Sequence, residues 1–262
     1  MANDQTIINH YKNVAQQFGL TSQSSMQDQA IREAETSFFK DTIESLSKGQ
    51  EKSILDCGCG NAFTLSQLSP HHSRVGLEFS PDLYNLAQQR VGVSIYRGDM
   101  RTPLLSQLQG HQSFDIVITQ RSVINLLGRD QQVRALENIA DAIRPGGFYL
   151  LSESFYETHS LLNHARAEFG LEEISPSKHN LFLTESRLAT LKKHGLQEVE
   201  STYSRHHLST HFYLTRVLHP HLRGPHGKMK APHFLEFFTQ GLGTGIGTYS
   251  PIQFRVFQKE MA

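Results

Sequence analysis

The chain alternates short, densely apolar segments with longer stretches in which apolar residues return every three or four positions. Phe114-Asp115-Ile116-Val117-Ile118-Thr119-Gln120 is almost continuously apolar, as a strand buried on both faces of a parallel sheet should be. Ser53 to Asp56, Arg74 to Phe79, Val93 to Arg97, Phe148 to Glu153, Gln197 to Tyr203 and Pro251 to Gln258 read as further strands. Helices are predicted over Gln5 to Phe18, Gln27 to Ser47, Ala62 to Leu68, Gln131 to Ile143 and Glu185 to His194. The fourth of these runs into Arg144-Pro145-Gly146-Gly147, a helix stop. Strands separated by helical or loop segments predict an α/β open parallel sheet, whose ligands sit outside the carboxyl ends of the strands.

The most informative such end is Ser53-Ile54-Leu55-Asp56-Cys57-Gly58-Cys59-Gly60-Asn61, where a strand breaks into a glycine turn before a helix. Such a turn lets a ligand approach bare backbone. Dinucleotides and S-adenosylmethionine both use one. The dinucleotide fingerprint needs a third small residue for close helix packing, and here that position is Phe63. Asp56 would repel a diphosphate, whereas it suits a ligand that carries an ammonium and no phosphate. Glu78, 20 residues after Gly58, ends the second strand, where a carboxylate accepts from both hydroxyls of a ribose. In isolation Glu78 would be a solvated strand-end acid; its spacing from the turn favours the ligand.

An apolar pair followed by Asp56-Cys57-Gly58-Cys59-Gly60 resembles the first motif of the class I S-adenosylmethionine-dependent methyltransferases, and the helix, Arg-Pro-Gly-Gly and strand sequence at 131–153 resembles another of their recurrent features. The resemblance implies a seven-stranded Rossmann-like methyltransferase sheet of order 3-2-1-4-5-7-6, its last strand antiparallel between the fifth and sixth. It implies S-adenosyl-L-methionine as cofactor, bound by Asp56, Gly58, Gly60, Glu78 and Phe79, with Asp99 on the adenine amino group and Met100 against the ring. Gln120 and Ser122, followed by Asn125, come next to the methyl donor. Arg32 is assigned to the donor carboxylate, the alternative being an i,i+3 partner of Glu35 on a solvated face. Tyr11 and Phe18 resemble the aromatic lid of small-molecule methyltransferases, or else belong to helix core.

The chain of 262 residues fits a single domain, with 49–155, 184–203 and 251–262 as its core. Residues 1–48 add N-terminal helices, and 156–183 and 204–250 form a cap on the acceptor side. Charges balance, 25 Lys+Arg against 25 Asp+Glu, so nucleic acid is not expected as a partner. No apolar run reaches the roughly 18 residues of a membrane span, and the polar N-terminus lacks a signal peptide's features, which predicts a cytoplasmic location without membrane insertion. Cys57 and Cys59 read as small residues filling a crowded turn, and no metal is expected.

Histidines crowd the second half, and a hydroxyl acceptor needs a base of matched pKa. His207 is the first candidate, then His179, His206 and His211. The flanks, Thr210 to Val217 above all, resemble bacterial methyltransferases encoded with surface-polysaccharide and secondary-metabolite pathways, which implies a small-molecule or glycan acceptor. Transfer to nitrogen or carbon by proximity alone is the alternative, and a non-catalytic donor-binding subunit is a second. A nicotinamide-dependent oxidoreductase is opposed by Phe63.

Overall fold

The computed structural model describes residues 2–24, 26–223, 241–242 and 244–261. Its strands are β1 (Ser53–Cys57), β2 (Ser73–Glu78), β3 (Ser94–Arg97), β4 (Phe114–Gln120), β5 (Ile143–Ser154), β6 (Leu196–Val199) and β7 (Ile252–Lys259). They form one sheet in the order β3-β2-β1-β4-β5-β7-β6. The first five run parallel, and β7 is antiparallel to both β5 and β6, as the resemblance implied.

Successive strand side chains point to opposite faces, so each strand feeds two cores. Leu55, Val75, Leu77, Val117 and Tyr149 pack on one side with Ala135, Leu136 and Ile139 of helix α5 (Arg129–Ala142). Ile54, Ile116, Ile118 and Leu150 pack on the other with Phe38, Phe39 and Phe254. Phe38 stacks on Phe254 at 4.6 Å, which ties helix α2 (Gln29–Ser47) to the last strand. Asp28 caps α2 by accepting from the Ile31 amide at 3.4 Å, and Lys48 ends it in the left-handed region.

Several element ends differ from the sequence reading, each for a local reason. β5 begins at Ile143 instead of Phe148, because Ile143 pairs with Phe114 before the register slips ahead of Ile116 and Phe148. The Arg-Pro-Gly-Gly stop therefore lies inside the strand, and a Cβ on Gly147 would meet the Asp115 carbonyl at 2.8 Å. Ala62 takes φ +55°, so helix α3 is Phe63–Gln67 and the ligand turn extends through Ala62; helix α4 (Pro81–Ala87) follows β2. Glu185 to His194 forms two one-turn helices, Glu185–Leu188 and Thr190–Lys193. β6 stops at Val199, where its pairing with β7 ends, and Tyr203 instead packs edge-on against Phe38.

Helix α1 (Ala2–Phe18) and the chain from α6 (Tyr156–Glu168) to Leu183 stand over the carboxyl ends of the strands. The apolar run from Phe212 to Leu218 spans the end of a short helix (Ser209–Tyr213) and a π-helical turn (Leu214–Leu218). Residues 224–240 of the expected cap, and Gly243 of its glycine repeat, lie outside the described residues. Among the described residues no helix is long and apolar enough to cross a membrane, and no cluster of His, Cys, Asp and Glu could hold a metal ion.

Candidate functional site

A cavity of about 610 Å³ lies above the ends of β1, β2 and β4. Tyr11, Arg32, Asp56, Gly58, Gly60, Glu78, Phe79, Asp99, Met100, Gln120 and Ser122 all border it, as do Phe18 and Asn125. The parallel sheet accounts for this convergence: strands read in the same direction deliver their following turns to one edge.

The glycine turn is shaped by sterics. Gly58 has φ +82°, and a Cβ there would lie 2.5 Å from Cβ of Ser122. Cys57 and Cys59 are buried beneath it, and burial drives both thiols up. Glu78 locks the turn to β2: one carboxylate oxygen accepts from the Gly60 amide at 2.8 Å and the other from Ser80 at 2.7 Å. Burial raises the Glu78 pKa, and those amides oppose the rise.

Asp56 is 2 % exposed, and its Oδ1 has no hydrogen-bond partner among the described residues. Burial, then the charge of Glu78, pushes its pKa up to about 8, against the pull of Arg32. Arg32 is itself buried, with its guanidinium 4.7 Å from the centre of the Phe63 ring. Burial and then Arg121 lower its pKa to about 10. A solvated Arg32–Glu35 face is thus not what forms, because Glu35 is wholly buried too. Phe63, which displaces the small residue of the dinucleotide pattern, is a platform for that guanidinium.

Glu35 organises the end of β4. It accepts from Gln120 Nε2 and Ser152 Oγ, each at 2.8 Å, and pairs with Arg121 at 3.2 Å. Gln120 also accepts from Thr64 at 2.5 Å, so its side chain braces β4. Arg121 borders the cavity with a left-handed backbone, φ +51°. Ser122 Oγ donates to the Cys57 carbonyl at 2.6 Å, and buried Glu153 accepts from the Ser122 and Val123 amides at 3.0 Å each. Burial raises Glu153 to about 7. Arg121 and Glu153 were not singled out from the sequence, although each is a single charge beside an apolar strand, and Glu35 was read only as a possible surface partner of Arg32.

Helix α1 is fastened across the cavity at three places. Asp99 is gripped by Arg101, which reaches on to Asp4 at 2.7 Å. Tyr11 donates to Asn125 at 2.6 Å, and Asn125 donates to the His179 carbonyl and to Asn180. His10 stacks on His179 with centroids 3.7 Å apart.

The four expected histidines do not converge. His179 borders the cavity, and burial, then His10, lowers its pKa to about 4. His206, His207 and His211 are not among the residues that border it. His207 packs against Tyr203 and Phe254, and His206 faces the charges of Arg205, Arg255 and Glu185. His211 is buried, 2.9 Å from Asp28, and with Arg216 it holds Asp28 down at about 2. Neighbours in sequence point apart once the segment turns helical at Ser209. His10 and His159 border the cavity instead. For His159 the available signal was its place one turn after the fifth strand.

Residues 54–147 match a family model described as a methyltransferase domain. No curated protein matches the chain. The N-methyltransferase NodS from Bradyrhizobium japonicum WM9, solved with S-adenosyl-L-homocysteine, is 16% identical, with 96% of this chain and 98% of that one covered and a TM-score of 0.56. The magnesium protoporphyrin IX methyltransferase ChlM from Synechocystis PCC 6803 is 11% identical, with 97% and 95% covered and a TM-score of 0.56. CalS10, an amino pentose methyltransferase from Micromonospora echinaspora, is 29% identical over 47% of this chain, with a TM-score of 0.40. The match spans about half the length of CalS10, 52%. The segment from β1 to the start of β5 is thus similar to a methyltransferase domain, and the fold of the chain is similar to that of NodS and ChlM.

Proposed function

We propose that the protein transfers the methyl group of S-adenosyl-L-methionine to a hydroxyl group of a small-molecule or glycan acceptor, with a cavity histidine taking the proton. One observation carries this reading: the residues suited to the donor and a set of histidines border the same cavity of about 610 Å³. A flat donor surface would favour a scaffold; a shared cavity favours an enzyme that positions both reactants itself.

The residues fit the donor. The unpartnered Oδ1 of Asp56 offers an ammonium the hydrogen bond that the protein leaves unmade. Gly58 keeps bare the space beside Ser122 that any side chain would fill. Glu78, held by Gly60 and Ser80, is assigned to the ribose hydroxyls, and Asp99 and Met100 to the adenine; their shared place at the cavity border supports this assignment. Arg32, its guanidinium 4.7 Å from the centre of the Phe63 ring, is assigned to the carboxylate. When bound, the donor supplies a methyl group activated by a sulfonium charge. The protein's part is to hold the two reactants in line, exclude water and receive a proton.

Calorimetry with S-adenosylhomocysteine tests the donor site: Glu78→Ala and Asp99→Ala should each weaken binding by about tenfold or more, the loss of one charge-assisted hydrogen-bonded contact. Unchanged affinity in both removes the assignment. A screen of hydroxyl-, amine- and carbon-acceptors scored by S-adenosylhomocysteine release then tests the atom methylated, and turnover of amines alone would favour the proximity mechanism.

A further inference from the structure

Three histidines border the cavity, and they differ in what holds them. His10 belongs to α1 and His179 to the segment between α6 and Leu183, and the two rings cover one another's faces at 3.7 Å. His159 belongs to the frame. It stands in the first turns of α6, just beyond Ser154 at the carboxyl end of β5, and β5 pairs with β4, whose end carries Gln120 to Ser122. Ser154 borders the cavity as well, so β5 leads straight from the donor end to His159.

The His159 ring is fixed on several sides. Its backbone amide donates to the Phe155 carbonyl at 3.1 Å, and its ring meets Phe182 edge to face at 5.0 Å. It hydrogen-bonds the backbone of Ile174. His159 is only 5 % exposed, yet Nε2 has no hydrogen-bond partner among the described residues. Buried ring nitrogens are normally matched, and one left unmatched at the edge of a cavity is a place for a ligand's hydroxyl. Phe182 and Ile174 contact His159, and Leu162, Phe212 and Ile252 are apolar residues that border the same cavity, alongside the polar Ser154, Ser175 and Arg216.

Resting on the methyl-transfer reading above, we propose that His159 is the general base of this enzyme, and that the acceptor it serves is a phenol whose ring occupies the apolar part of the cavity. The phenol O–H bond breaks as its proton passes to Nε2 of His159. The oxygen's electron pair forms the new O–CH₃ bond while the methyl–sulfur bond breaks, its pair staying on sulfur. The products are an aryl methyl ether, S-adenosylhomocysteine and an imidazolium, which returns its proton to water when the product leaves. Burial lowers the His159 pKa, with Glu173 the charge that opposes it, so the ring is neutral and weakly basic at pH 7. A weak base suits an acidic hydroxyl, and phenols ionise near pH 10, far below alkyl alcohols.

The test compares the full chain with His159→Asn, which retains an N–H close to Nδ1 and lacks Nε2, and with His159→Ala. The acceptor probes are catechol, 4-methylumbelliferone and 4-nitrophenol, with radiolabelled S-adenosylmethionine. The wild type should methylate at least one of them. His159→Asn should lose about 100-fold or more in kcat, the ordinary worth of a general base, while KM and S-adenosylhomocysteine affinity stay near wild type. The acid limb of the wild-type kcat profile should vanish, and added imidazole should restore part of the rate to His159→Ala. A structural role alone would give neither effect. Equal kcat in the wild type and both variants overturns His159 as the base. Methylation of none of the phenols by a wild type that binds S-adenosylhomocysteine overturns the phenol. Loss of S-adenosylhomocysteine binding in the wild type would instead overturn the donor reading.

Discussion

A buried carboxylate with one unpartnered oxygen resists ionisation, and Asp56 is held at about pH 8 by burial and by Glu78. An arriving ammonium needs it ionised. Affinity for S-adenosylhomocysteine should therefore climb between pH 6 and 8, by up to about tenfold per unit for one linked proton, and level off above. Asp56→Asn should bind weakly and almost independently of pH; calorimetry across that range decides, and a wild-type curve as flat as the variant's rejects the linkage. Gly58 makes a second prediction at the same scale. In Gly58→Ala the new methyl would sit 2.5 Å from Ser122 in a backbone at φ +82°. Strain of about 1–3 kcal/mol should lower the melting temperature and abolish the gain normally given by S-adenosylhomocysteine, because the alanine fills the space the ligand requires.

Among the elements, α1 controls access. It reaches the sheet edge through Asp4 and Arg101, and the cap through Tyr11 and Asn125. Each such hydrogen bond is worth about 0.5–1.5 kcal/mol, so Tyr11→Phe should speed S-adenosylhomocysteine release by roughly two- to tenfold in stopped flow. An unchanged off-rate would show that α1 is not what retains the ligand. The helix itself was legible from its pattern, and its partners were not, since Asp4 and Arg101 lie 97 positions apart. The strands and their ligand turns were likewise legible, because alternation and glycine punctuation are local signals. β5 shows the limit: Arg144 to Gly147 carry a correct stop for α5, but pairing of Ile143 with Phe114 draws them into the strand. The histidines show it more sharply. Crowding at 206–211 was visible in sequence, while the approach of His10, His159 and His179 from three separate elements depends on tertiary packing alone.

Across the whole molecule, the ligand edge of the sheet gathers Asp56, Glu78 and Glu153 among its buried carboxyls, and burial raises each of these. The sign of their effect on stability follows from the protons they hold. In the unfolded chain they ionise near their ordinary values of 3.8 and 4.5; in the fold Glu153 keeps its proton to about pH 7 and Asp56 to about pH 8. Between those limits the native state binds more protons than the unfolded one, so stability falls as pH rises, by up to about 1.4 kcal/mol per unit for each group titrating. Asp28 acts oppositely and elsewhere: lowered to about 2, it contributes fully above its ordinary value and loses that contribution only as pH falls toward 2. The fold thus carries a cost at neutral pH at the edge where an ammonium-bearing ligand would offset it. The donor-free protein should melt at a progressively lower temperature from pH 7 to pH 8 in calorimetric scans at fixed ionic strength; at lower pH, His10, His159, His179, His206 and His207, all lowered by burial, act in the opposite sense. Saturating S-adenosylhomocysteine should raise the melting temperature more at pH 8 than at pH 6, and Asp56→Asn should flatten both trends. A donor-free melting temperature that rises steadily from pH 7 to pH 8 would mean that the buried carboxyls do not govern the stability of this fold.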